Sequence, residues 1–165
     1  MKRILAVAAV VALLVGCDSK QDAPFGLKWG QSMDSVSFIK DGDCEKEDGI
    51  TTCKFDNQKP FNEWTFSNEL KFDRDGLVEI GTVLAGTEDY SPSFHDFKEK
   101  LSNEAEFLLS KGFDKEILGQ IKQKCEESAK CDKTSERARS SVGSVSIWVT
   151  TTSTQNPIEV TTYTK

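Results

Sequence analysis

The chain has 165 residues with 27 acidic and 21 basic side chains, a net charge of −6 and one histidine. That length fits one domain. An acidic surface with scattered lysines lacks the basic footprint that phosphate backbones need, which argues against nucleic acid, and it exerts no pull on anionic lipid headgroups.

Lys2 and Arg3 open a stretch in which Ile4 to Val15 carries no polar side chain. A positive start, an apolar run of about 7–15 residues and a small residue before a cut predict a secretory signal. The run is shorter than the roughly 20 residues that span a bilayer, and no second long apolar run follows. The stretch ends Leu14-Val15-Gly16-Cys17, which closely resembles the lipobox of bacterial lipoproteins. The resemblance implies that 1–16 are a signal peptide, that the Cys17 thiol is diacylglycerylated, and that cleavage leaves Cys17 as the first, acylated residue. Lys2 and Arg3 leave with the leader, so the remainder is more acidic still. The acyl chains must therefore do the anchoring, each buried CH₂ contributing about 0.8 kcal/mol. Asp18 resembles the residue that retains such lipoproteins in the inner membrane, with the outer membrane as the alternative. Residues 17–24 read as a tether reaching at most about 26 Å when extended. The domain is thus expected to face the periplasm, close to the membrane.

With Cys17 taken by lipid, Cys44, Cys53, Cys125 and Cys131 remain. An even number in an exported chain predicts disulfides. Of the three possible pairings, the local ones, Cys44–Cys53 and Cys125–Cys131, are expected, because each brackets turn-forming residues. A zinc or redox pair at Cys125 and Cys131 would want a CxxC spacing or more than one histidine.

Residues 25–165 read as one domain. Phe25 to Gly30 predicts a short aromatic strand, and Met33 to Phe38 a brief helix with Ser32 as its cap and Asp34 in its first turn. Glu47-Asp48-Gly49 marks a hairpin turn between the segments bearing Cys44 and Cys53. From Glu63 to Phe72, Trp64, Phe66, Leu70 and Phe72 alternate with polar neighbours, as in a half-buried strand. Asp73-Arg74-Asp75-Gly76 turns the chain, and Val78, Ile80, Thr82 and Leu84 return on one face. That turn matches the opening of a calcium loop, but apolar residues stand where the later ligands would be.

Ser91 and Pro92 then begin a helix in which Phe94, Phe97, Leu101, Ala105 and Leu108 recur at spacings of three and four, ending at Gly112. A second helix runs from an Asp114 cap through Ile117, Leu118 and Ile121 to Cys125. Ser140 to Thr152 and Ile158 to Thr164 form a last hairpin around Gln155-Asn156-Pro157. Together these predict an α+β fold: an antiparallel sheet of hairpins with two amphipathic helices packed on one face. The opening Phe25-Gly26-Leu27-Lys28-Trp29-Gly30-Gln31-Ser32-Met33-Asp34-Ser35-Val36 resembles the start of SmpA/OmlA-type and β-lactamase-inhibitor-like small periplasmic domains. That resemblance implies the same architecture of helices on an antiparallel sheet.

Chemistry is sparse. His95 lacks a nucleophile elbow or a neighbouring serine to activate. The carboxylate pairs Asp41/Asp43, Asp73/Asp75 and Glu126/Glu127 sit in turns or at a helix end, where nothing raises a pKa for acid–base work. No catalytic residue, metal ligand or cofactor is expected beyond the covalent lipid on Cys17. Phe25, Trp29, Phe61 and Trp64 read as core. Arg137 and Arg139, two apart on one strand face, and Trp148, opposite in phase to Val145, Ile147 and Val149, are the candidate partner-binding residues. The expected role is a membrane-anchored, non-enzymatic protein-binding factor of inhibitor or immunity type, with an envelope protein as partner. The alternatives are a structural or assembly accessory of an envelope complex, and an envelope hydrolase whose only visible catalyst is His95.

Overall fold

Hairpin follows hairpin along this chain, and the strands join into one antiparallel sheet. The computed structural model describes residues 20–85, 94–125, 130–152 and 156–165; Cys17, the Ser91-Pro92 helix start, Glu126-Glu127 and Gln155 lie outside them. The strands are β1 (Asp43–Glu47), β2 (Ile50–Phe55), β3 (Ser67–Asp73), β4 (Gly76–Ala85), β5 (Thr134–Ser140), β6 (Gly143–Thr151) and β7 (Pro157–Thr164). Between β4 and β5 come the helices α1 (Phe94–Ser110) and α2 (Lys115–Gln123). The seven strands lie in the order β1-β2-β3-β4-β7-β6-β5, so the last strand of the chain sits beside the central one.

Period-two burial defines the inward face. Cys53, Phe55, Leu70, Phe72, Ile80, Leu84, Tyr163, Val145, Ile147 and Val149 are buried and form one core with Phe97, Leu101, Ala105 and Leu108 of α1 and Leu118 and Ile121 of α2. A bulge between Lys71 and Phe72 shifts the β3–β4 register, pairing Phe72 with Leu77. Leu77, not Val78, is therefore the buried residue at the start of β4. Aromatic rings fill the space near the amino-terminal turns: Phe25 stacks on Phe107 at 5.5 Å and meets Phe61 edge-on at 5.2 Å. Phe38 meets both Phe55 and Phe61 edge-on, and those two rings touch each other.

Both disulfides join local pairs, Cys44–Cys53 and Cys125–Cys131. Cys44 stands directly opposite Cys53 in the β1–β2 ladder. The second bridge docks on the sheet, where the Cys131 amide donates to Thr151 Oγ1 at 2.6 Å. Asp114 caps α2 by accepting from the amides of Glu116 and Ile117. Gly112, at φ 75°, ends the chain's exit from α1, with the Phe113 amide closing back on the Leu108 carbonyl.

Three further local expectations change. Phe25 to Gly30 is no strand; Pro24–Gly26 is a 3₁₀ turn with Phe25 at φ 62°, and only an isolated Asp22–Lys28 bridge remains extended. The brief helix after Ser32 resolves into two 3₁₀ turns, Met33–Ser35 and Ile39–Asp41, and the Ser32 side chain makes no cap bond. β3 begins at Ser67, because Trp64 leaves the alternation to bond a buried carboxylate. Thr134–Ser140, which carries little apolar signal, is a full strand at the sheet edge.

Candidate functional site

The other face of the sheet carries the alternate side chains. Directly opposed residues share a face, so the ladders trace rows across all seven strands. One row runs Asp43, Lys54, Glu69, Gly81, Thr162, Ser146, Arg137. The next runs Glu45, Thr52, Lys71, Glu79, Thr164, Ser144, Arg139. A third runs Ser67, Val83, Val160, Trp148, Ser135. All of these positions are half-buried or exposed. The hydrogen bonds and ion pairs found for their side chains stay within the sheet.

Charge is segregated along the rows. At the β1–β3 side, Asp43, Glu45, Glu47 and Glu69 surround Lys54 and Lys71 in a shallow concavity of about 230 Å³. Lys71 bridges Glu79 at 2.8 Å and Glu69 at 3.1 Å. The Glu79 hydrogen bond, against partial burial, holds the Lys71 ammonium above its ordinary value, and Glu69 adds to it. On this face of β5 the charged side chains are both cations: Arg137, whose Nε donates to Ser144 Oγ at 3.0 Å, and Arg139. Neither arginine joins an ion pair among the described residues. Between the two ends lie Gly81, Val83, Val160 and Trp148 with short polar neighbours.

The residues named from sequence fall as follows. Arg137, Arg139 and Trp148 come together on this one face, on adjacent strands β5 and β6. Trp29 and Phe61 are buried, and Trp29 donates its indole N–H to the Val142 carbonyl at 2.7 Å. His95 is exposed on α1. Asp73 spends its carboxylate on the turn, accepting from the Asp75 amide at 2.7 Å. Among the described residues no cluster of three or more His, Cys, Asp or Glu could hold a metal ion, and no helix is long and apolar enough to cross a membrane.

Sequence reasoning missed the most perturbed groups among the described residues. Glu104 of α1 and Glu159 of β7 are both 1% exposed. Glu104 Oε1 accepts from the Tyr163 hydroxyl at 3.0 Å, and Oε2 accepts from Trp64 Nε1 at 2.7 Å and Asn62 Nδ2 at 3.3 Å. Glu159 accepts from the Thr161 hydroxyl. Burial pushes the Glu104 carboxyl up, opposed by the bonds from Trp64, Tyr163 and Asn62. Burial first, then the Glu104 charge, pushes Glu159 well above the ordinary range. Tyr163 is likewise raised, by burial and then by the two carboxylates. Three donors oppose the rise at Glu104 and one opposes it at Glu159, so Glu159 is the member held higher. A residual cavity of about 10 Å³ adjoins both groups between α1, α2 and the sheet. That is room for about one water beside an internal polar network.

The signal for this pair was present. Glu104 stands three after Leu101 and four before Leu108, within the apolar stripe of α1. Glu159 alternates in phase with Thr161 and Tyr163. Glu104 and Glu159 are far apart in sequence and meet only through the fold.

No family model, curated protein or solved structure matches this chain.

Proposed function

We propose that this protein is a lipid-anchored periplasmic factor that binds another protein through the open face of its sheet, without catalysis. The observation that carries the reading is the gathering of Arg137, Arg139, Trp148, Val160 and Val83 on one surface whose side chains bond only within the sheet. The reading takes α1, α2 and the amino-terminal turns as lying together on the opposite face. Their shared core with the inward sheet positions supports this, as do the bonds from Tyr163 and Trp64 to Glu104 and from Ser141 to the Lys111 carbonyl. Aromatic and arginine side chains are the types that carry interface energy. The perturbed carboxylates, the usual mark of an acid–base site, are enclosed.

The lipobox supplies the anchor through Cys17, and Asp18 favours the inner membrane. Two disulfides suit an oxidising compartment. A short tether keeps the open face near the membrane, where an incoming or resident envelope protein meets it.

The test is a photo-crosslinking residue at position 148 in living cells, with position 95 on α1 as the control. An adduct with an envelope protein at 148, absent at 95 and lost when Arg137 and Arg139 are changed to Glu, is the expected result. Equal adducts at both positions, or none at 148, would overturn the proposed face. The Cys17→Ser chain should leave the membrane fraction; a membrane-bound Cys17→Ser product would remove the anchor from the proposal.

A further inference from the structure

We infer that, when no other partner holds it, the open sheet face is occupied by a second copy of this chain. The two copies are related by a two-fold axis that runs parallel to the strands over β4. This rests on the reading of that face as a protein-binding surface and names its occupant.

The argument starts from the rows. β4 is the fourth of seven strands, so a two-fold along it lays β1 of one copy over β5 of the other. Such an axis leaves height along the strands unchanged, so each row faces itself in reverse order. Asp43 and Arg137 end the same row, and Glu45 and Arg139 end the next. Asp43 of each copy therefore faces Arg137 of the other, and Glu45 faces Arg139, giving four opposite-charge pairings at the two rims. The alternative in-plane axis, across the strands, would lay β1 on β1 and set Asp43, Glu45 and Glu47 against themselves. Charge selects the first axis.

The centre agrees. On the axis Gly81 meets Gly81, where the missing side chains let the sheets approach. Val83 and Val160 flank it on one side. On the other, Glu79 meets its own copy but is already held by Lys71. Sheets packed face to face lie about 10 Å apart with strands roughly aligned, which this symmetry allows. Seven strands spaced about 4.8 Å apart, each with about 20 Å in contact, offer roughly 600 Å² per copy before corrugation. That approaches the about 800 Å² per partner of a standard interface.

The anchor chooses the same axis independently. The Trp29 indole bonds the Val142 carbonyl beside the β5–β6 turn, the Gly30 amide bonds the Leu77 carbonyl beside the β3–β4 turn, and the Trp29 amide bonds the Gln21 carbonyl. The chain thus enters the domain at one end of the strands. A two-fold along the strands puts both entry points at the same end, where two short tethers can reach one membrane. The axis across the strands would put them at opposite ends.

The experiment is sedimentation equilibrium of the full lipoprotein in density-matched detergent at micromolar concentration. The wild type should be a dimer that loosens with added salt. Arg137→Glu with Arg139→Glu, or Asp43→Arg with Glu45→Arg, should weaken it at least about tenfold, since four attractive contacts become repulsive. All four changes in one chain should restore it. Circular dichroism confirms that each variant folds, as these edge side chains are exposed. A monomeric wild type, or a dimer indifferent to the reversals, overturns the inference. If in that event position 148 still crosslinks to a different envelope protein, the face survives and only its occupant is wrong; if it crosslinks to nothing, both readings fall.

Discussion

Replacing the two buried glutamates by glutamine should move stability in opposite directions. For Glu159 the reason is proton linkage. An ordinary glutamate titrates near 4.5, and in the folded protein burial and the Glu104 charge hold Glu159 well above that. As pH rises past 4.5 the unfolded chain releases its proton while the folded chain keeps it, which favours unfolding. Stability therefore falls from pH 4.5 up to the folded pKa, and is untouched by this group below 4.5. Glu159→Gln removes that loss and retains an acceptor for Thr161, so it should be more stable than wild type at pH 7 and equal to it at pH 4.

Glu104 is raised too and shares that loss, but the hydrogen bonds it accepts outweigh it. Its oxygens accept from Trp64, Tyr163 and Asn62. Glutamine keeps one acceptor and turns the other into a donor aimed at donors. One or two buried N–H or O–H groups lose their partner at about 1–3 kcal/mol each, for about 1–6 kcal/mol in all. Urea unfolding followed by circular dichroism at pH 4 and pH 7, with disulfides intact, reads both effects. A destabilised Glu159→Gln at pH 7, or a Glu104→Gln as stable as wild type, would refute this account of the pair.

Three further outcomes are expected. Removing Cys44–Cys53 by paired serines should cost roughly 2–3 kcal/mol, since the bridge closes a loop of about ten residues; unfolding midpoints with and without the pair measure it. Gly76→Ala should destabilise far more than Gly49→Ala. Both sit at positive φ, but a Cβ at Gly76 would meet the Gly30 carbonyl oxygen at 2.4 Å, whereas at Gly49 nothing lies within 4 Å. Gly49→Ala should therefore cost only the left-handed penalty of about 1–2 kcal/mol. Asp114→Ala should cost about 1 kcal/mol by leaving the Glu116 and Ile117 amides uncapped, read as a lowered thermal midpoint.

Elements that announce themselves in this sequence share a strong local period. Leu101, Ala105 and Leu108 mark α1 because its stripe is continuous, and Asp48-Gly49 and Asp75-Gly76 mark hairpins because turn chemistry is local. β5 is hidden: an edge strand buries little, so Glu136, Arg137 and Arg139 disguise the alternation that pairing with β6 imposes. Phe25 and Phe38 mislead in the other direction. Their size suggests strand or helix, yet both rings reach the core from 3₁₀ turns or bends, where a segment of three to six residues cannot sustain a helix nucleus. Arg137, Arg139 and Trp148 are legible one by one from phase. Their union with Asp43 and Glu45 in shared rows depends on strand order, which no local pattern encodes. The Glu104–Glu159 pairing depends on it too.

The position of β7 has a consequence for how the chain reaches this structure. β1 to β4 zip in sequence order, and β5 pairs locally with β6, but the two groups meet only through β7, the last strand made. Its ladder to β4 couples Glu79 with Thr164, so the central seam closes a loop about half the chain long. Such closure is slow beside hairpin formation. Until it happens, β4 and β7 each present an unsatisfied edge, and Glu104 lacks the Tyr163 hydroxyl. Damage confined to 157–164 would therefore leave β4 without the partner that joins the two groups of strands.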